Sequence, residues 1–152
     1  MTENSVIFNR YEPADRAGCI DVFSSNIPEF FLDSEREEYA AFLDDLPGPY
    51  LTLRLSSSIV GCGGYALGER EGVADLCWGM IHSAHHGRGF GTLLTQARLD
   101  LAMQDPRVQR VALKTTQKTE GFYVRFGFKT EVMVRDGYGT GLHRCDMIRD
   151  VR

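Results

Sequence analysis

The chain has 152 residues, a net formal charge of −4, 43% hydrophobic and 25% charged residues. That balance suits one globular domain with a core of its own, residues 1–152, and excludes disordered and fibrous classes. No long basic run is present, so no nucleic-acid footprint is expected, and no apolar run is long enough to cross a membrane.

The N-terminal "MTENSVIFNRYEP" lacks a basic region followed by an apolar core, so no signal peptide is read there. Cys19, Cys62, Cys77 and Cys145 lie far apart with no C-x-x-C pair. Buried, reduced thiols and a cytoplasmic location are the expectation.

In chain order, "SVIFNRYE" (5–12) reads as a first strand. Pro13 suits an early helical position, and Cys19, Ile20 and Phe23 form one face of the helix that follows. A second helix is predicted over "DSEREEYAAFLDDL", opened by a capping box of Ser34 and Glu37, with Tyr39, Phe42, Leu43 and Leu46 as its apolar stripe. "LPGPY" stops it. Three strands follow at 50–56, 58–68 and 73–82, with two short links that predict an antiparallel meander.

Next comes "HHGRGFGTLL" (85–94), three glycines at alternate positions before an apolar run. Phe90, Leu93, Leu94, Ala97 and Leu101 recur at helical spacing, to about Gln104. "RVALKTT" is a strand and "KTEGFYVRFG" a short helix closed by Gly127. "FKTEVMVRD" and "HRCDMIRD" are final strands joined by a "GYGTG" loop, where Tyr138 could face a substrate. The order β-α-α-β-β-β-α-β-α-β-β predicts an α+β fold, with a mixed, mostly antiparallel central sheet flanked by helices.

A glycine turn between a strand and a helix is an anion-binding device. The first helical N–H groups lack intrahelical partners, the dipole end is positive, and glycine leaves the backbone open to a phosphate oxygen. The Walker pattern fails, because Gly91 is followed by Thr92 rather than Lys. "GCGGYA" (61–66) meets the dinucleotide fingerprint, but no helix follows; its glycines read instead as a twisted or bulged strand. His82, His85 and His86 crowd one turn without nearby Cys or an H-E-x-x-H helix, so no metal is expected.

"HHGRGFGTLL" after "LCWGMIH" resembles the acetyl-coenzyme-A site of the GNAT superfamily of N-acetyltransferases. That family's Q/R-x-x-G-x-G/A turn falls on His86, Gly89 and Gly91, with His86 in place of Gln or Arg. "GFYVRFGF" (121–128) resembles the later A-x-x-x-Y-x-x-x-G-F segment, with Tyr123, Gly127 and Phe128 in register. The family usually has Asn seven residues before the tyrosine, where this chain has Thr116.

The resemblance implies acetyl-CoA as co-substrate. Its pyrophosphate would lie on backbone N–H groups of residues 86–92: His86, Gly87, Arg88, Gly89, Phe90, Gly91 and Thr92. Its pantetheine arm would pair near Met80 and Ile81, and Thr116 would stand at a further coenzyme contact. Tyr123 would protonate the departing thiolate. Asp75 would act as general base on the strand before the turn, with Glu29, Asp33, Glu69, Glu71 or water as rivals. Trp78, Phe30 and Phe31 are candidates for the acceptor cleft.

The implied reaction is acetyl transfer to a primary amine of a small molecule or peptide, with no covalent enzyme intermediate. The alternative is a non-catalytic CoA-binding sensor. The last strand, if it lies at an edge, offers a route to a homodimer.

Overall fold

A computed structural model describes residues 5–151. Its elements follow the expected order: β1 (Val6–Arg10), α1 (Arg16–Ser25), α2 (Arg36–Asp44), β2 (Tyr50–Leu55), β3 (Ser58–Leu67), β4 (Val73–Ile81), α3 (Phe90–Met103), β5 (Arg110–Thr115), α4 (Glu120–Val124), β6 (Lys129–Gly139) and β7 (Leu142–Asp150). The strands form one seven-stranded sheet in the order β1-β2-β3-β4-β5-β7-β6. Every pairing is antiparallel except β4 with β5. This is the mixed, mostly antiparallel sheet predicted from the sequence.

Several expectations need correction. The box at Ser34 and Glu37 does not form. A 3-10 turn at Asp33–Glu35 precedes α2, and the Glu35 carboxylate accepts the Leu32 N–H at 3.1 Å. The buried face of α3 is Phe90, Leu94, Thr95, Arg98, Leu99 and Ala102, one position round from the expected stripe, and Leu93 is exposed. β7 is not an edge strand: it lies between β5 and β6, and the edges are β1 and β6. Tyr138 belongs to β6 rather than to a loop, and the turn shrinks to Thr140–Gly141.

Helices cover both faces of the sheet. One core joins α1 and α2 through Cys19, Phe23, Tyr39 and Leu43 to Tyr50, Cys62 and Met80. On the other face, α3 packs Leu94 on Leu53 and Val60, and Leu99 on Leu76, Val111 and Met147.

Two irregularities shape the site. β4 pairs with β5 over only three rungs, Val73–Arg110, Ala74–Val111 and Asp75–Ala112, and the two strands then part. Beyond the fork β4 carries a bulge. Cys62 faces Met80 and Gly64 faces Cys77, so Gly63 stands opposite both Trp78 and Gly79. Trp78 takes φ 41° there, a conformation that a large side chain holds only when its surroundings enforce it. The Tyr50 hydroxyl supplies part of that enforcement by donating to the Trp78 carbonyl at 2.8 Å, and its own oxygen lies 2.9 Å from that of Tyr39.

Candidate active site

The fork between β4 and β5 opens a cleft of about 980 Å³. Ten of the twelve expected site residues line it: Asp75, Met80, Ile81, His86, Gly87, Gly89, Gly91, Thr92, Thr116 and Tyr123. Arg88 and Phe90 do not. The Phe90 ring is buried against Leu53, Val60 and Ile81, and the Arg88 guanidinium lies over that ring and bonds to Nδ1 of His85 at 2.8 Å.

The turn entering α3 has the backbone that its glycines allow. Gly87 and Gly89 take φ 77° and 84°, Gly89 is the N-cap of α3, and a Cβ at either would meet nothing within 4 Å. Glycine is required there by conformation rather than by crowding, which leaves the space over the helix N-terminus open.

The three histidines of the turn have separate partners. His82 lies 3.3 Å from Asp21, His85 meets Arg88, and Nε2 of His86 donates to the Ile81 carbonyl at 2.8 Å. That carbonyl also accepts the buried Asn26 amide at 3.0 Å. Among the described residues no group of three or more His, Cys, Asp or Glu side chains converges on a metal position.

Asp75 is the last β4 residue to touch β5, and so sits at the vertex of the fork. Burial pushes its carboxyl above the ordinary range, partly offset by the nearby charges of Arg70 and Lys114. None of the rival carboxylates Glu29, Asp33, Glu69 and Glu71 lines the cleft; beside Asp75 its carboxylates are Glu35, Glu38, Glu131 and Asp146, which the sequence reading did not name. Glu35 is also pushed up, chiefly by burial.

Phe30, Phe31, Trp78 and Tyr138 line the cleft as expected, with Phe42 beside them. Trp78 packs at the same time on Phe23, Phe31, Tyr39 and Phe42 with ring centroids 5.0–6.2 Å apart, so core and cleft roles coincide in one side chain.

Thr116 is buried, and its hydroxyl accepts the Lys118 N–H at 3.2 Å. The Tyr123 ring packs on Phe122 and Phe128, while its hydroxyl accepts from Arg98 at 3.2 Å. Arg98 escaped the sequence reading. The signal was available: a charged residue four positions after Leu94 falls on the apolar face of α3.

The arrangement offers an open helix N-terminus, a strand freed from its neighbour, a half-buried phenol and a carboxylate at the fork. A search of the curated proteins finds no match. Solved structures similar in fold include a provisionally assigned GNAT acetyltransferase from Desulfovibrio desulfuricans (TM-score 0.82, 20% identity, 97% of this chain and 100% of that one). The ribosomal-protein-S18-alanine N-acetyltransferase from Escherichia coli aligns with TM-score 0.80 and 14% identity over 97% of this chain and 94% of that one. An aminoglycoside 6′-N-acetyltransferase complexed with coenzyme A gives 0.78 and 12% over 96% and 97%. The model of the acetyltransferase (GNAT) family matches residues 18–128. The chain therefore belongs to the GNAT acetyltransferase family.

Proposed function

We propose that the protein transfers an acetyl group from acetyl-CoA directly to a primary amine of a small molecule or peptide. The observation that carries this reading is the turn with φ-positive Gly87 and Gly89, which opens α3 at the mouth of the β4–β5 fork. Several N–H groups converge at such a turn, enough to hold a pyrophosphate that a single helix end would hold weakly.

In this reading the backbone of His86, Gly87, Arg88, Gly89, Phe90, Gly91 and Thr92 carries the pyrophosphate. The pantetheine arm runs along Met80 and Ile81, and Thr116 borders it. An N–H of β4 at the Trp78–Gly79 bulge stabilises the tetrahedral oxyanion, an interaction worth ~10²–10³ in rate when preorganised. Asp75, raised by burial and so closer to neutral pH, takes the amine proton directly or through water. Tyr123 gives its hydroxyl proton to the departing sulfur.

Direct transfer is favoured over an acyl-cysteine intermediate because Cys77, the cysteine lining the cleft, is pushed up to about 11 by burial. At neutral pH it is a thiol and a poor nucleophile. The coenzyme complex of the structurally similar aminoglycoside enzyme supports the choice of acyl donor. Acidic Glu35, Glu38 and Asp146 beside aromatic Phe31, Phe42 and Trp78 suit a cationic amine.

The test is thiol release from acetyl-CoA in the presence of tyramine, spermidine, kanamycin or a tripeptide with a free N-terminus. Release that depends on one of these amines supports the reading. Acetyl-CoA binding without release against any of them would return the chain to a sensing role.

A further inference from the structure

Arg98 stands where a helix packed on a sheet ordinarily carries a leucine. It is 3% exposed, between Leu94 and Ala102 on the buried face of α3. An arginine at such a position usually lays its stem on apolar surface and sends its head to water. Here the head stays inside and borders the cleft.

Two glycines make the space. A methyl group on Gly79 would collide with the Arg98 guanidinium, and one on Gly63 would lie 2.9 Å from its Cδ. Among the described residues, Arg98 forms no ion pair. Its Nε is buried without a partner, and among the described residues its one side-chain hydrogen bond runs from Nη2 to the Tyr123 hydroxyl at 3.2 Å.

A guanidinium keeps its charge under all ordinary conditions, so this burial is a standing cost that leucine or methionine would avoid. Packing alone does not account for it. The chemistry of the single partner does. Guanidinium donates and never accepts, so the phenol oxygen must act as acceptor toward Arg98. The phenol's own hydrogen is then barred from Arg98 and left to donate elsewhere, on the side of the cleft.

We propose that Arg98 is a positioning residue that fixes the Tyr123 hydroxyl as a proton donor to the leaving sulfur. The inference rests on the reading of Tyr123 as leaving-group acid. When the tetrahedral intermediate collapses, the carbon–sulfur bond breaks and its electron pair stays on sulfur. The Tyr123 oxygen–hydrogen bond breaks and the proton goes to that sulfur, giving free CoA thiol. The phenolate left behind faces the Arg98 cation in a site of low dielectric, where the attraction is strong. Solvent then returns a proton to Tyr123, and the proton lost by the amine leaves through Asp75.

The experiment measures kcat and KM for acetyl-CoA, with the amine that gives the fastest thiol release above, in Arg98→Met, Arg98→Lys, Tyr123→Phe and the Arg98→Met/Tyr123→Phe double variant. Arg98→Met should lower kcat about 10- to 100-fold, a part of the ~10²–10⁴-fold that general acid catalysis supplies, with KM within about twofold and no fall in Tm. Arg98→Lys, which keeps a donor and a charge, should fall between wild type and Arg98→Met, and it preserves the test if the Met variant folds poorly. In the Tyr123→Phe background Arg98→Met should cost nothing further, the mark of two residues acting as a unit.

Additive losses in the double variant, a Lys variant slower than Met, or wild-type kcat in Arg98→Met would overturn the inference while Tyr123 keeps its role. Wild-type turnover in Tyr123→Phe would instead remove the leaving-group reading itself.

Discussion

Nε2 of His86 donates to the carbonyl of Ile81 across 2.8 Å, which ties the glycine turn back to the end of β4. The side chain is thus engaged with the strand, and the phosphate contact falls to the turn's backbone. His86→Gln, whose amide can donate to the same carbonyl, should keep both Tm and acetyl-CoA affinity. His86→Ala should lose about 0.5–1.5 kcal/mol of stability, the usual net worth of one such bond, and bind acetyl-CoA within about twofold of wild type. Thermal melts and titration calorimetry check both. A tenfold loss of affinity at unchanged Tm would put the ring on the phosphates.

Gly89 and Gly141 share a left-handed backbone, φ 84° and 83°, and a Cβ at either meets nothing within 4 Å. Alanine should therefore cost the same at both, about 1–2 kcal/mol of backbone strain. Only Gly89 borders the cleft. The rise in Tm caused by acetyl-CoA should survive Gly141→Ala, shrink in Gly89→Ala and vanish in Gly89→Glu, where a carboxylate would meet the pyrophosphate. An undiminished rise in Gly89→Glu would refute the phosphate turn.

Asp75 combines a stability effect and a rate effect of opposite sign. Burial raises its carboxyl above the unfolded value. The folded chain then holds that proton where the unfolded chain has lost it, so the group's contribution to stability falls as pH rises through the window between the two values. Above that window the ionised group is a net cost. Asp75→Asn should melt higher than wild type at neutral pH, and the gap should close below the ordinary aspartate range. Its turnover should be depressed near neutrality and partly recover at high pH, where the amine deprotonates in solution. Equal melting temperatures at neutral pH, or a wild-type pH–rate profile, would assign the base elsewhere, with Glu35 next in line.

Asn26 is 3% exposed and joins the last turn of α1 to the strand, donating to Val22 and Ile81 carbonyls at 2.9 and 3.0 Å. Asn26→Ala should cost about 1–3 kcal/mol by leaving buried acceptors short of a donor. It should also raise KM for acetyl-CoA by loosening the end of β4. A chemical melt and steady-state kinetics read the two effects separately.

The element order was legible because each strand and helix ends on local chemistry: Pro47 and Pro49 after α2, Pro106 after α3, Gly127 at φ 89° after α4. The glycine turn and Tyr123 were legible for the same reason, since both are local patterns. What failed was relational. The end of α2 nearer Leu32 was set by Glu35 capturing a backbone N–H, in competition with the Ser34–Glu37 pattern. The stripe on α3 was misread by one position because Arg98 counts as polar in any periodicity. β7 reads like a terminal edge, yet it inserts between β5 and β6, a crossover that no local pattern encodes. Glu35 and Glu38 reach the cleft only through the packing of α2.

Three rungs between β4 and β5 are all that bind β1–β4 to β5–β7–β6 along the sheet. Half-sheets joined so sparingly can open as separate cooperative units, each with its own exchange of amide hydrogens. A long, flexible ligand lying in the fork would act as a removable seam. With the seam in place, amides of β4 beyond Asp75 and of β5 beyond Ala112 should exchange together with the rest of the sheet. Without it, they should exchange as the margins of two smaller proteins.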